Sequence, residues 1–195
     1  MSLIQVIAGL GNPGPDYAAT RHNAGFWLLD QLADQLKISF SKDRGFNAEV
    51  AKTKIDGRDL WLIKPQTYMN RSGQAVAALL RFYKQTPAQL LVVHDELDLL
   101  PGTIKLKKAG GTGGHNGLKD IQANLSTLDW WRLRIGIGHP RALNLNSEVV
   151  DFVLHKPSQE QRSQIDQAIL RGLAIMPQLL TGPIDRAVAQ LHTDI

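Results

Sequence analysis

Short apolar runs alternate along this chain with stretches of helical spacing, and that alternation restricts its fold more than any other feature. Residues 3–8 form a short run rich in β-branched side chains that ends at Gly9, and residues 90–93 form another. Runs of this length and composition predict buried strands. Between them, residues 26–36 repeat apolar side chains three and four positions apart, which predicts a helix.

A two-residue turn and two alternating runs add further strands. Asp56-Gly57 separates the strand-like runs 48–55 and 58–63, and this dipeptide between such runs is a strong hairpin signal. Residues 103–108 and 131–137 alternate apolar and charged side chains, as strands with one exposed face do. More helices are predicted over residues 72–83 with Ser72 as N-cap, from Leu118, over residues 158–170 and over residues 183–191.

Strands mixed with helices and one hairpin predict an α/β fold, with a mixed, twisted β-sheet flanked by helices. A chain of 195 residues predicts one domain, residues 1–195. The absence of Cys excludes disulfides, thiolate chemistry and Cys-ligated zinc. The amino-terminal residues lack the basic segment and long apolar run of a signal peptide, and no run is long enough to span a membrane. A cytoplasmic protein is therefore expected.

The positive charge is concentrated in one segment. Residues 101–141 carry a net charge of +5, although the whole chain carries only +4. Lys105 and Lys107 project from one predicted strand, and Arg132 and Arg134 project from another. If these strands are neighbours, the four cations form a patch that suits a polyanion such as nucleic acid, and a solvated face is the alternative.

Five short polar motifs stand at turns or strand ends, where side chains are exposed rather than buried. Several of them converging on one cleft would form a hydrolytic site, with a base, a group that orients it, and amides that hold water and a carbonyl. The motifs are Gly11-Asn12-Pro13-Gly14, Thr20-Arg21-His22-Asn23, Tyr68-Met69-Asn70, His94-Asp95-Glu96 and Gly113-Gly114-His115-Asn116-Gly117.

The glycines of the first motif also match the dinucleotide fingerprint G-x-G-x-x-G, with Asp30 as the distant acid. That interpretation fails because Pro15 stands where a helix should open and Asp30 lies within a predicted helix. The motif instead predicts a tight turn that exposes Asn12 at the carboxyl end of a strand, where α/β sheets usually bind ligands. A purely structural turn is the alternative.

His22 and Asp95 are the candidate base and its orienting carboxylate, although a helix-end His with no catalytic role is the alternative for His22. A carboxylate near an imidazole fixes its tautomer and favours the imidazolium. His94, Asp95, Glu96, Asp98 and His115 could also supply metal ligands, but no His-Glu-x-x-His motif occurs and we expect no metal. The missing G-x-S-x-G motif argues against an acyl-enzyme.

The glycine-rich segment 109–117 precedes a predicted helix. Such a loop can bind phosphate through backbone N–H groups, although it lacks the Gly-Lys-Ser/Thr ending of a P-loop. A mobile lid and an ordinary turn are the alternatives. The lysine-bearing strand that precedes it favours a functional loop.

Together these motifs resemble those of bacterial-type peptidyl-tRNA hydrolases, in family order and over most of the chain. The matching stretches are residues 9–14, 17–25, 64–73, 94–98, 110–121 and 132–138. The resemblance implies an enzyme that hydrolyses the ester between a peptide and tRNA, recycling peptidyl-tRNA shed by ribosomes. It implies no cofactor, and we expect a monomer.

The resemblance also implies roles for individual residues. His22 would be the general base and Asp95 would orient it. The residues implied to bind water, peptide or the terminal nucleotide are Asn12, Tyr17, Tyr68, Met69, Asn70 and Asn116. Those expected to bind tRNA phosphates are Lys105, Lys107 and Arg134.

One alternative of a different class is a catalytically idle RNA-binding relative, such as an organellar splicing factor. The presence of His22, Asp95 and three Asn residues together argues for the enzyme, because a protein that only binds RNA needs none of them.

Overall fold

The computed structural model describes residues 3–193, and seven strands in this part of the chain form one mixed sheet. The strands are β1 (Val6–Gly9), β2 (Ser41–Asp43), β3 (Ala48–Ile55), β4 (Arg58–Pro65), β5 (Leu90–Glu96), β6 (Ile104–Lys108) and β7 (Trp131–Gly136). Their order across the sheet is β2-β3-β4-β1-β5-β7-β6. The central strands β4, β1, β5 and β7 are parallel, and the outer pairs are antiparallel.

The predicted hairpin is present, since β3 and β4 pair antiparallel around Asp56 and Gly57. Both turn residues have positive φ, 50° and 78°. Those angles match the turn that fits the right-handed twist of a two-strand ribbon. The local dipeptide therefore fixes the register of all eight residue pairs between the two strands.

Helices cover both faces of the sheet. They are α1 (Ala24–Leu36), α2 (Ser72–Phe82), α3 (Asn116–Leu125), α4 (Val149–Val153), α5 (Gln159–Ala174), α6 (Met176–Thr181) and α7 (Ile184–Thr193). One apolar core joins α1, α5, α6 and α7 to the sheet, and another joins α2 and α3 to the opposite face. Strand β1 contributes to both cores, with Ile7 on one face and Val6 and Ala8 on the other. The α/β prediction, with helices flanking a mixed sheet, is confirmed.

Some local predictions were wrong. Ser72 begins α2 rather than capping it, because its hydroxyl donates to the Met69 carbonyl at 2.8 Å. Helix α3 begins at Asn116, two residues before the predicted start, and the His115 side chain caps it. Strand β2 and the short helices α4 and α6 were not predicted, because each is too short to show a periodic pattern.

Polar motifs collect at one edge of the sheet. The turns that follow β1 and β4 and the end of β5 all lie at the carboxyl ends of parallel strands. Helix α1 approaches this edge closely because Gly25 has no side chain, and a Cβ there would lie 2.4 Å from the Val93 carbonyl oxygen. Within residues 3–193, no helix combines the length and apolar character needed to cross a membrane.

Candidate active site

A cleft of about 730 Å³ opens at this edge of the sheet. The structure brings together all eight residues that were expected to do chemistry or to bind the substrate's reacting end. They are Asn12, Tyr17, His22, Tyr68, Met69, Asn70, Asp95 and Asn116. A volume in this range suits a small or medium-sized ligand group. The cleft therefore joins motifs from five separate parts of the chain.

His22 and Asp95 form a buried pair in the cleft wall. The Nδ1–H group of His22 donates to both carboxylate oxygens of Asp95, at 3.0 and 2.9 Å. His22 is only 8% exposed and Asp95 only 3%. Because Nδ1 carries the proton that the carboxylate accepts, Nε2 holds the lone pair and is the basic atom. The pair therefore has the geometry of a general base held by a carboxylate.

The electrostatics of the pair favour a charged imidazole. Burial lowers the pKa of His22, but the charge and hydrogen bonds of Asp95 outweigh it, so this pKa is raised above its usual value. Burial alone raises the pKa of Asp95, yet the two neighbouring imidazoles hold it well below its usual range. Asp95 therefore stays ionised and stabilises an imidazolium that forms on His22.

His115 is a third member of this group, and the sequence placed it in the fifth polar motif without giving it a role other than that of an alternative metal ligand. Its Nε2–H donates to Asp95 Oδ1 at 2.9 Å. Its Nδ1 accepts from the backbone N–H groups of Gly117 and Leu118, at 3.1 and 3.3 Å. This set of partners places the ring proton on Nε2 and uses Nδ1 as an acceptor. His115 thus joins the start of α3 to the carboxylate that holds His22.

His94 lies behind this group and contacts it without entering the cleft. Its Nδ1–H donates to the Asp95 carbonyl at 2.8 Å, and its ring meets the His115 ring edge-on, with centroids 5.3 Å apart. Burial, together with the nearby His115, lowers the pKa of His94 to about 4. His94 is therefore neutral near pH 7 and adds no charge beside Asp95.

A network of amides fixes the turn that carries Asn12. Its Oδ1 accepts from the backbone N–H of Met69 at 2.7 Å, which links the turns after β1 and β4. Asn23 holds the backbone of Asn12 from both sides, accepting from its N–H and donating to its carbonyl. Because Oδ1 is occupied, the amide Nδ2 is the group that Asn12 can offer to a ligand. Sequence reasoning gave Asn23 no such role.

The outer part of the cleft carries two aromatic rings and two exposed amides. Tyr17 and Tyr68 meet edge-on with centroids 6.2 Å apart. Tyr68 has a φ of 62°, an uncommon conformation for a non-glycine residue, and this turn delivers Met69 and Asn70 to the cleft. Asn70 and Asn116 are exposed while Met69 is buried. The two amides can therefore reach a ligand that the rings contact.

The glycine-rich loop is held by a buried arginine. Arg132 donates to the carbonyls of Gly110 and Gly111, and its guanidinium stacks on the Trp130 ring at 4.3 Å from the centroid. It is only 3% exposed. The loop that leads to His115 and Asn116 is thus fastened to β7. Of the four cations expected in one patch, Arg132 is covered by the loop and unable to meet a polyanion.

The other three cations occupy neighbouring strands, as the patch required. Strands β6 and β7 pair antiparallel, with Lys105 opposite Arg134 and Lys107 opposite Arg132. Lys105 and Lys107 are exposed. Arg134 is half-buried and donates through Nε to Glu96 at 2.8 Å, which leaves its terminal nitrogens for other acceptors. The accessible cations therefore lie on two strands beside the glycine-rich loop.

Metal ligation has a geometric basis in the described part of the chain. His22, Asp95 and His115 each offer a donor atom, and these atoms lie within 4.8 Å of one another. In the structure these three side chains are joined by hydrogen bonds of 2.9 to 3.0 Å. A metal ion here would have to displace the protons that make the carboxylate an orienting group for His22.

Comparison with known proteins decides the family. The family model described as peptidyl-tRNA hydrolase matches residues 6–195. The chain belongs to the peptidyl-tRNA hydrolase family. Over 190 residues the chain is 60% identical to the peptidyl-tRNA hydrolase of Bordetella avium. The aligned residues make up 97% of this chain and 92% of that protein. The Bordetella petrii protein of the same name is 59% identical over 190 residues, with coverage of 97% and 90%.

A solved structure of the family has the same fold. The crystal structure of peptidyl-tRNA hydrolase from Acinetobacter baumannii matches with a TM-score of 0.92 and 46% identity, covering 98% of this chain and 95% of that one. The predicted resemblance to peptidyl-tRNA hydrolases is therefore confirmed, and the chain is a hydrolase. An idle RNA-binding relative is not favoured by these similarities.

Proposed function

We propose that this protein hydrolyses the ester between a peptide and the 3′-terminal ribose of tRNA and so recycles tRNA from peptidyl-tRNA. The observation that carries the proposal is the buried His22–Asp95 pair in a cleft of a peptidyl-tRNA hydrolase family member. The pair leaves one basic nitrogen, Nε2 of His22, available to a water molecule.

In this mechanism His22 acts as general base. Nε2 takes a proton from water while the water oxygen bonds to the ester carbonyl carbon. Asp95 stabilises the imidazolium, which then gives its proton to the departing ribose oxygen. The bond between the carbonyl carbon and the ribose oxygen breaks, which gives a tRNA 3′-hydroxyl and a peptide carboxylic acid that loses its remaining proton to solvent. A positioned base of this kind contributes about 10² to 10⁴-fold in rate.

Amide groups would stabilise the developing negative charge on the carbonyl oxygen. The proposal assigns water and carbonyl binding to Asn12 and Asn116, and contact with the peptide or terminal nucleotide to Met69 and Asn70. It is supported by the common cleft and by the occupied Oδ1 of Asn12, which leaves a donor for the ligand. Loss of one such donor costs about 10² to 10³-fold in turnover. Tyr17 and Tyr68 would flank the same group.

The RNA body would lie on the cationic strands. Lys105 and Lys107 are exposed on β6, and Arg134 faces them from β7 with part of its guanidinium unoccupied. Arg can bind phosphate through two nitrogens, and Lys offers a compact charge. These residues would position tRNA through its phosphates rather than read its bases.

The test is hydrolysis of an N-acetylaminoacyl-tRNA in excess EDTA, comparing wild type, His22→Ala and Gln190→Ala. Gln190 is an exposed residue on α7, outside the cleft lining, and serves as the control. We expect release of the N-acetylamino acid by wild type and Gln190→Ala. For His22→Ala we expect turnover about 10² to 10⁴-fold lower, with tRNA binding retained.

Three outcomes contradict the proposal in different ways. Loss of wild-type activity in EDTA, restored by a divalent ion, would replace the metal-free mechanism by metal ligation at His22, Asp95 and His115. If His22→Ala lost tRNA binding as strongly as turnover, His22 would not act as the general base. No hydrolysis by any variant, with tRNA still bound, would support an RNA-binding module.

We further propose that residues 1–195 act as one cytoplasmic, monomeric domain without a membrane partner. Support comes from the single sheet and from the absence of Cys, which suits a reducing compartment. Light scattering after gel filtration measures the monomer, and a mass twice that of the 21.5 kDa chain would contradict it.

A further inference from the structure

Arg21 is a buried cation directly beside the candidate base His22, and the proposed reaction assigns it no role. It is only 6% exposed. Its Nη1 donates to the Phe152 carbonyl at 2.9 Å and to the His155 carbonyl at 3.3 Å. Its Nη2 donates to Gln161 Oε1 at 2.9 Å. The side chain thus reaches 131 residues along the chain to hold a different part of the fold.

The main chain of Arg21 and its guanidinium face bind the same segment. The backbone N–H of Arg21 donates to the His155 carbonyl at 3.1 Å. The guanidinium carbon lies 3.9 Å from the centroid of the Phe152 ring. Helix α4 is therefore fastened to the turn that carries His22 by hydrogen bonds and by a cation–π contact.

Helix α4 is an apolar wall of the cleft. Val149, Val150 and Val153 line the cleft, with Leu154 following them. Val150 is 61% exposed although it is a large aliphatic residue. The helix has only five residues and cannot be stable alone. Its position relative to His22 therefore depends on the contacts that hold it.

The chemistry of the contact argues for a function beyond packing. Among residues 3–193 no carboxylate pairs with Arg21, and its Nε is buried without a hydrogen-bond partner. Burial accordingly lowers the pKa of Arg21. A hydrocarbon side chain would pack on Phe152 without the cost of desolvating a charge. The planar guanidinium, unlike a hydrocarbon, fixes the direction of each donor and so the place of each carbonyl.

We propose that Arg21 is a positioning residue that sets the distance between the base His22 and the apolar wall of α4, and so determines how an acyl group with an apolar side chain is seated. The proposal rests on the proposed function. An acyl group that ends in glycine has no side chain for this wall and depends on it little. An acyl group that ends in leucine uses it fully.

The experiment measures kcat and KM on one tRNA body carrying either N-acetylleucine or N-acetylglycine. The variant is Arg21→Lys, which keeps the positive charge but loses the planar guanidinium whose two terminal nitrogens donate to three acceptors. We expect KM for the leucyl substrate to rise about tenfold, the scale of one lost apolar contact in a pocket. We expect kcat for both substrates, KM for the glycyl substrate and the acid limb of the pH profile to stay at wild-type values.

A second set of variants keeps the test informative if Arg21→Lys folds poorly. Gln161→Ala removes one acceptor of the guanidinium, but it also breaks the capping box that Gln161 forms with Ser158 at the start of α5. Ser158→Ala removes the other half of the box, in which the Gln161 N–H donates to the Ser158 hydroxyl, and it leaves Gln161 Oε1 on the guanidinium, so it is the matched control. We expect the leucyl-specific rise in KM in Gln161→Ala, at a smaller size, and wild-type values in Ser158→Ala.

The alternatives give different results. An equal loss for leucyl and glycyl substrates in both Arg21→Lys and Gln161→Ala would overturn the proposal, because a general loosening of the fold does not sense the side chain. A displaced acid limb would show that Arg21 acts on His22 instead of α4. Failure of wild type on both substrates would contradict the proposed function itself rather than this role.

Discussion

At the residue scale, one carboxylate organises the candidate site. Asp95 accepts hydrogen bonds from His22 and from His115 at nearly equal distances, 2.9 to 3.0 Å. The two imidazoles differ in their other nitrogen, because Nδ1 of His115 is occupied by two backbone N–H groups. Only His22 keeps a free basic nitrogen. The proposed roles of His22 as base and of His115 as structural link therefore rest on hydrogen bonding rather than on residue type.

Asp95→Asn should change both the rate and the pH dependence of hydrolysis. His22 must be neutral to accept a proton, so activity falls as pH drops through its pKa, which Asp95 raises. Removing the charge lowers that pKa, and the acid limb should move to lower pH. Maximal turnover should fall about 10⁴-fold because the amide no longer fixes the tautomer. The pH profile of kcat/KM measures both effects.

Asp98→Asn is the control for this experiment. Asp98 also lines the cleft but makes no hydrogen bond or ion pair with His22. Its acid limb should coincide with that of wild type. If the acid limb of Asp95→Asn also coincides with that of wild type, then Asp95 does not raise the pKa of His22.

At the scale of elements, β6 and β7 show that the position of a residue along a strand does not by itself predict whether its side chain is exposed. Lys107 and Arg132 are directly opposite on β6 and β7, and both were expected to face solvent. Lys107 does, whereas the glycine-rich loop folds over Arg132 and takes its hydrogen bonds. The alternation of charged and apolar residues correctly predicted the strands and their shared face. It could not show that a loop covers part of that face.

Lys107→Ala should weaken tRNA binding and flatten its dependence on salt. Each phosphate contact releases counterions, so the slope of log K against log salt should decrease by about 0.7 to 0.9. Lys42→Ala is the matched control, because Lys42 is an exposed lysine on β2 at the other edge of the sheet. Filter binding at several salt concentrations measures the slope. If the slope of log K against log salt is unchanged in Lys107→Ala, Lys107 on β6 does not contact an RNA phosphate.

Gly73→Ala should separate α2 from α3. A Cβ at Gly73 would lie 2.2 Å from the Asp120 carbonyl oxygen, and the backbone there cannot yield without moving a helix. Overpacking of this kind costs about 1 to 3 kcal/mol in the free energy of unfolding. Urea unfolding measures the loss. KM should also rise, since Asn70 lies two residues before α2 and Asn116 begins α3.

Gly111→Ala is the control for this substitution. Nothing lies within 4 Å of a Cβ at Gly111, and its φ is not in the positive region. Its free energy of unfolding should match that of wild type. A loss in Gly111→Ala equal to that in Gly73→Ala would show that the helix contact is not the cause.

At the scale of the whole molecule, one sheet separates two apolar cores. Leu28 belongs to the core under α1 and α5, and Leu79 belongs to the core under α2 and α3. Both side chains are fully buried. Strand β1 contributes to both cores, so neither can form without the sheet that supports the other. We therefore expect the chain to unfold as a single cooperative unit.

Leu28→Ala and Leu79→Ala should therefore shift the same unfolding transition. Each substitution removes buried methyl groups and leaves a cavity, at a cost of about 2 to 5 kcal/mol. Circular dichroism and tryptophan fluorescence should report coincident midpoints in wild type and in both variants. Two separate transitions, each sensitive to one substitution, would contradict the proposal of a single domain.

The sequence alone determined the elements whose signals are local. The Asp56-Gly57 hairpin, the buried strands β1 and β5 and the amphipathic helices follow from turn chemistry and from periods of two and 3.6 residues. The short polar motifs also put Asn12, His22, Asn70, Asp95 and Asn116 at turns or strand ends, and these residues line the cleft. The family followed from the order of those motifs.

The tertiary structure decided how these residues meet. His115 binding to Asp95, Asn12 bridging to Met69 and Arg21 holding α4 all join residues that are distant along the chain. Local periodicity contains no information about such contacts, because they depend on the order of strands in the sheet and on loops that have no period. For the same reason the sequence could show that Arg132 lies on a strand but not that a loop buries it.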